Sequence, residues 1–468
     1  MTYTDTMGYA VSTTSSEALA AYEQGVSLWL RQRSGGVEAL EHAVTVDPHF
    51  ALAHCTRAYV AWRMGRAAAA SEAHRQAMAL VDDAHDEREH LHLQTVDAMQ
   101  ARDGEAALQH LEEIAERYPA DRMAMRVLSF NYLARGEYQR GMLRAQHSLE
   151  AFPDDSQFLT MTAFFLEQSD EDPNRGLELG LRALALDPGS LYTYHAVGHN
   201  YQARGDYVKV LATFERANSI ERYPHNLWHL AEAQAILGDT RLTRDYWHST
   251  APALPLYERI ELQWRLEMLR HEPVAPSVWQ ELAGQGEQLL EMADYLTLWM
   301  HHWIGLAFAR AGETAKAQQQ LERLRRLPEG KASGHWSTLG ADLLEGEMAY
   351  MRGDIDTAVR LMAPTVRRIH EMGGGSREQK DIFQDVLLEL HRRLGQVDAV
   401  VELAQRRLRR NPNHLQSLAA LAWAYQHTGE RASEKQTYQD IVRRAQALSV
   451  PDELPALSEA RQALQPTA

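Results

Sequence analysis

A pattern that recurs about every 34 residues constrains this chain more than any other feature of it. Each copy reads as a helix closed by Gly, a second helix carrying small residues, and a Pro stop. The clearest copy runs Tyr194, Val197, Gly198, Tyr201, Gly205, Tyr207, Phe214 and Ala217. Another runs Leu128, Ser129, Tyr132, Gly136, Tyr138, Gly141, Ala145, Ser148 and Pro153. Further copies hold Gly395 and Gly429, and weaker ones centre on Gly65, Gly238, Gly312 and Gly353. Gly after the first helix can take the left-handed conformation that closes it, and Pro after the second prevents continuation. Small residues at Gly198 and Ala217 let the two helices approach closely. A single pair cannot bury its own apolar face, so pairs must stack. The spacing therefore predicts an all-α solenoid of roughly ten or eleven helix pairs. It runs over 17–448 without an inserted domain, after a flexible N-terminus over 1–16 and before a capping helix or tail over 449–468.

Composition narrows the setting. The 468 residues carry a formal net charge of −16, which argues against nucleic acid or anionic lipid as a general partner. No apolar run approaches the length of a membrane span, and Met1 to Ser16 lacks a basic start followed by an apolar core. The single Cys55 excludes an intramolecular disulfide and suits a reducing cytoplasm. The expectation is a cytoplasmic protein with no membrane and no nucleic-acid partner.

The repeat resembles the tetratricopeptide repeat, which implies a right-handed superhelix whose first helices line the concave side. In that fold the second, fifth, ninth and twelfth residues of each repeat set the concave surface, one helical stripe. Applied here, the register selects Tyr59, Trp62, Arg126, Phe130, Phe165, Tyr192, His195 and His199. It continues with His225, Trp228, Glu232, Trp299, His302, Glu347 and Tyr350, while His229 falls one step off the stripe. An aromatic wall with a few convergent polar groups is the character of a small-molecule pocket. It is equally the character of a tightly wound stripe that has become core.

Three chemistries fit the histidines. His195 and His199 are four apart, as are His225 and His229, so each pair points one way from its helix. Two such pairs, closed by Glu232 or His302, can hold a metal, although no His-Glu-x-x-His or Cys cluster accompanies them. A neutral His beside Glu232 or Glu347 can instead move a proton near neutral pH. In the third reading the imidazoles lock repeat to repeat by hydrogen bonds. The favoured reading is metal-free and without cofactor. His195, His199, His225 and Glu232 act on a small organic ligand held by the other stripe residues and His229. The competing class is a scaffold whose groove holds a partner peptide or protein, the usual service of this repeat.

Several segments resemble a narrower group, the tetratricopeptide repeat protein 38 family. They are Asp47-Pro48-His49-Phe50-Ala51, His195-Ala196 with His199, and His225-Asn226-Leu227-Trp228-His229-Leu230-Ala231. Gln263-Trp264-Arg265-Leu266 and Gly374-Gly375-Ser376 with Gln379, Lys380, Asp381 and Phe383 complete the set. The family pattern has His after Gly-Gly-Ser, where this chain has Arg377. The resemblance implies no particular activity. Ser376 reads as a helix N-cap, and Arg367, Arg368, Arg406, Arg407, Arg409 and Arg410 read as solvated helix faces.

Overall fold

The structure, a computed structural model, describes residues 3–80, 82, 86–237, 254–270, 275–290, 298–326, 338–450, 452 and 454–465. The weak repeat copy at Gly238 lies outside them. The protein is all-α: apart from one antiparallel bridge between Tyr3–Thr4 and Ala10–Val11, every regular element among the described residues is helical.

The two helices of a pair differ in burial, and the repeat explains why. In Ser156–Gln168, a first helix, every residue from Gln157 onward is buried. In the following Pro173–Leu186 only Gly176, Leu179, Gly180 and Ala183 are, a stripe at steps of three and four. The first helix of this pair is packed on all sides, and the second keeps one face in water. Gly136 closes Arg122–Arg135 at φ 73°. The close approach expected at Gly198 is onto an aromatic ring: a Cβ there would sit 2.4 Å from Phe214.

The helices fall into two compact units, residues 1–169 with 175–196, and residues 170–174 with 197–468. In each, helices pack on their neighbours in chain order. In the first unit the N-terminal segment is packed against the helices. Val11 and Thr13 are buried, and Asp5 meets the guanidinium of the buried Arg88 at 2.8 Å. Thr13 donates to Asp47 at 2.5 Å, and the Ser12 amide donates to Glu89 at 2.9 Å. A buried arginine needs a counter-charge, and the N-terminal segment brings it. In the second unit, Pro455–Ala463 lays Leu457 and Ala460 against Leu418, Tyr438 and Ile441. Among the described residues no helix is long and apolar enough to cross a membrane.

Candidate functional site

The second unit gathers its polar groups around four helices. Leu191–Ala203 brings His199 and Gln202; Pro224–Leu237 brings His225, His229 and Glu232. Leu256–Arg270 adds Glu258, Glu261 and Arg265, and Arg377–Arg393 adds Glu378. His199 Nδ1 lies 2.7 Å from Glu378 Oε2, and its Nε2 lies 3.1 Å from His229 Nε2. His229 Nδ1 faces Glu232 Oε2 at 3.6 Å. Gln202 donates to Glu232 at 2.9 Å, and His225 Nδ1 meets Glu258 Oε1 at 2.7 Å. Arg265 ties the group together. It donates to Glu261 at 2.7 Å and to the Glu378 carbonyl at 2.7 Å, with Glu232 at 3.3 Å.

Burial sets the protonation of this cluster. Glu232 is pushed up to about 8 by burial, against the pull of Arg265. Glu261 is pushed up to about 7 by burial, again against Arg265. One guanidinium thus serves two buried carboxyl groups, and burial favours a proton on them near neutrality. Glu378 goes the other way: burial alone would raise it, but the His199 imidazole outweighs that and holds it well below the usual carboxylate range.

Glu378 also reaches a cleft. A cavity of about 200 Å³ is lined by Gln202, Glu378, Asp381 and Gln384 on one side and by Arg367, His370, Arg406, Arg407, Arg410 and His414 on the other. A more open cavity of about 650 Å³ shares Asp170, Arg406 and Arg410 with it and adds Arg204 and Arg409. Arg410 pairs with Asp170 at 2.9 Å, and Arg407 with Asp385. The charge that remains is positive. Burial and then Arg377, Arg410, Lys380 and Arg406 push His370 down to about 2. Arg406 is lowered by burial and by Arg367, Arg407 and Arg409, with Glu402 opposing. Four of the arginines read as solvated faces, Arg367, Arg406, Arg407 and Arg410, therefore line a cleft, and Arg407 is buried. The exclusion of nucleic acid drawn from the net charge does not extend to this surface.

The aromatic stripe is largely buried. Trp228 is fully buried with its ring stacked on His225, and Trp299 packs edge-on to Trp303 and against Gly375. His302 and Glu347 form a fully buried contact of 3.2 Å, with His302 Nδ1 on the Gly340 carbonyl at 3.1 Å. Tyr350 meets Trp264 edge-on and lies under Arg393. These rings fill the interior, and neither cleft above is lined by them. Glu232 and Gln202 line a further recess of about 10 Å³ with Tyr207 and Arg265.

The remaining predicted residues belong to the first unit. His195 stacks on Phe164 and Tyr192, and Arg126 lies 3.5 Å over Tyr192 and 4.4 Å over Phe130. Tyr59 bonds to His92 Nδ1 at 2.9 Å, Phe165 fills the space beside Gly141, and Trp62 is half-buried.

Sequence reasoning missed Glu378, Arg265, Glu258, Glu261 and the arginine cleft. Part of the signal was there: Gln263–Leu266 contains Arg265, and Gly374–Phe383 spans Glu378. Ser376 caps its helix in a reciprocal capping box with Gln379. Arg377, the departure from the family pattern, is buried and 3.3 Å from Asp170.

No family model matches the chain. It is similar in structure to a human IFIT1 dimer with m7Gppp-AAAA, at 15% identity and a TM-score of 0.46, over 86% of this chain and 90% of that one. It is also similar to the APC/C hetero-tetramer Cut9-Hcn1, at 16% identity and a TM-score of 0.44, over 96% of this chain and 76% of that one.

Proposed function

We propose that the second unit binds a small organic anion in the arginine-lined cleft and that Glu378, kept ionised by His199, orients it there. One observation carries the reading. Glu378 lines the cleft while its carboxylate accepts a 2.7 Å hydrogen bond from His199 Nδ1. An ionised carboxylate oriented by an imidazole, beside guanidinium groups that would hold an anion, is an arrangement suited to selecting and orienting a bound acid. Trp228, His225 and Glu232 then act from behind the cleft as positioning groups. Three of the segments resembling the tetratricopeptide repeat protein 38 family, those holding His225–Ala231, Gln263–Leu266 and Gly374–Phe383, supply residues of this cluster, and we place the chain with that family. The lone, fully buried Cys55 supports a cytoplasmic setting. Native mass spectrometry of the full chain, purified at low salt, tests the reading. The expected result is a retained small anion that is absent from an Arg406→Ala/Arg410→Ala variant. The same adduct on both proteins would refute it.

A second reading, a scaffold for a partner protein, has its own support in the first unit. Leu143 and Phe152 at one second helix, and Leu181 and Leu186 on the next, are exposed.

A further inference from the structure

We propose that His199, His225 and His229 form a binding site for a divalent transition metal of the zinc class. The proposal is independent of what occupies the arginine cleft. All three side chains belong to the second unit, and their ligand nitrogens lie within 4.8 Å of one another.

Two of the three rings are backed by carboxylates. His199 Nδ1 is 2.7 Å from Glu378, His225 Nδ1 is 2.7 Å from Glu258, and His229 Nδ1 faces Glu232 at 3.6 Å. For His199 and His225 a carboxylate within hydrogen-bond reach of Nδ1 favours the proton there and turns Nε2 into the ligand atom, the backing arrangement of metal-bound histidines. The contact at His229 is longer than a hydrogen bond. The Nε2 atoms of His199 and His229 approach to 3.1 Å, a distance that a bound cation or one proton between them can hold. That separation is close to the about 3.3 Å between two nitrogens at zinc–nitrogen distances of about 2.0–2.1 Å in a tetrahedral shell.

The surroundings hold the rings in place. Phe214 stacks flat on His229 at 4.9 Å, and Trp228 stacks on His225 at 5.8 Å. His199 and His229 are buried, whereas His225 is only half-buried and gives the ion a way in. Three imidazoles without a thiolate favour zinc, nickel, cobalt or copper over magnesium or calcium, which take oxygen ligands. The competing account of the 3.1 Å contact is a proton shared between His199 and His229.

The full chain, stripped by a chelator, is titrated with zinc chloride by calorimetry and with cobalt chloride by visible absorption. The proposal expects one ion per chain and a cobalt spectrum of four- or five-coordinate type. Affinity should fall at least 100-fold in His199→Ala and in His229→Ala, and about 10- to 100-fold in Glu258→Gln. Should the alanine variants fail to fold, the wild-type protein decides alone. An anomalous map at the zinc edge should place the ion among the three Nε2 atoms. Absence of stoichiometric binding, an ion located elsewhere, or folded variants that bind as the wild type does would overturn the proposal in favour of the shared proton.

Discussion

Replacing Arg265 by Met tests whether the buried cluster is held by one cation. The guanidinium donates to Glu261 at 2.7 and 2.9 Å and to the Glu378 carbonyl at 2.7 Å, and lies 3.3 Å from Glu232. Arg265, Glu232 and Glu261 are all buried. Met fills much of the same volume, so the loss is electrostatic. Above about pH 8 Glu232 and Glu261 give up their protons beside the guanidinium, and removing that partner then costs about 3–5 kcal/mol because the remaining charge has no compensation. Nearer neutrality the carboxyl groups keep their protons and the cost is smaller. The Glu378 carbonyl left without its donor belongs to the same loss. For a unit of this size the melting temperature should fall by roughly 5–10 °C at about pH 9. In the triple variant Arg265→Met, Glu232→Gln, Glu261→Gln most of that loss should return, since no charge is left stranded. Scanning calorimetry and urea denaturation of the three proteins make the comparison. A single variant within about 1 °C of wild type, or a triple variant as unstable as the single one, would refute the reasoning.

Three further outcomes are expected. Gly198→Ala places a methyl group 2.4 Å from Phe214 and should lose about 1–3 kcal/mol, partly restored by Phe214→Leu, as measured by urea titration. Deleting the residues after Val450 uncovers Leu418, Tyr438 and Ile441 and should lower the melting temperature or cause aggregation; a monodisperse protein with an unchanged melt would contradict this. Burial would raise Asp121, but His92 and then Arg88 hold it well below the usual range. As pH falls through about 4 the unfolded chain takes up this proton and the folded one does not, so stability declines toward acid. Asp121→Asn should flatten that acid slope, by about 1.5–2 kcal/mol of pH-dependent stability in calorimetric melts from pH 7 to pH 2.5.

What was legible in the sequence was what short spacing controls. Gly136, Gly198 and the small-residue stripes fix helix ends and helix approach within one pair, so the repeat predicted the all-α fold. The i,i+4 spacing of His225 and His229 likewise put both on one helix face. Contacts between distant segments were not legible. Asp5 finds Arg88 across 83 residues, and Arg265 finds the Glu378 carbonyl across 113. Nothing in the N-terminal segment shows that its aspartate is the counter-charge of a buried arginine. Charge runs misled for a related reason. Arg367 and Arg406 sit on separate helices, and only packing puts them on one cleft. The aromatic stripe was ambiguous in principle, because Trp228 and Trp299 occupy the same periodic positions whether they fill a core or line a pocket.

The most direct test of the proposed function is calorimetric titration of the full chain with a panel of small organic phosphates and carboxylates at low and moderate salt. The cleft account predicts that at least one anion binds at one per chain and binds more weakly as salt rises. It also predicts at least a 10-fold loss of affinity in the Arg406→Ala/Arg410→Ala variant. No binding by any member of the panel, or equal binding by wild type and variant, would contradict it.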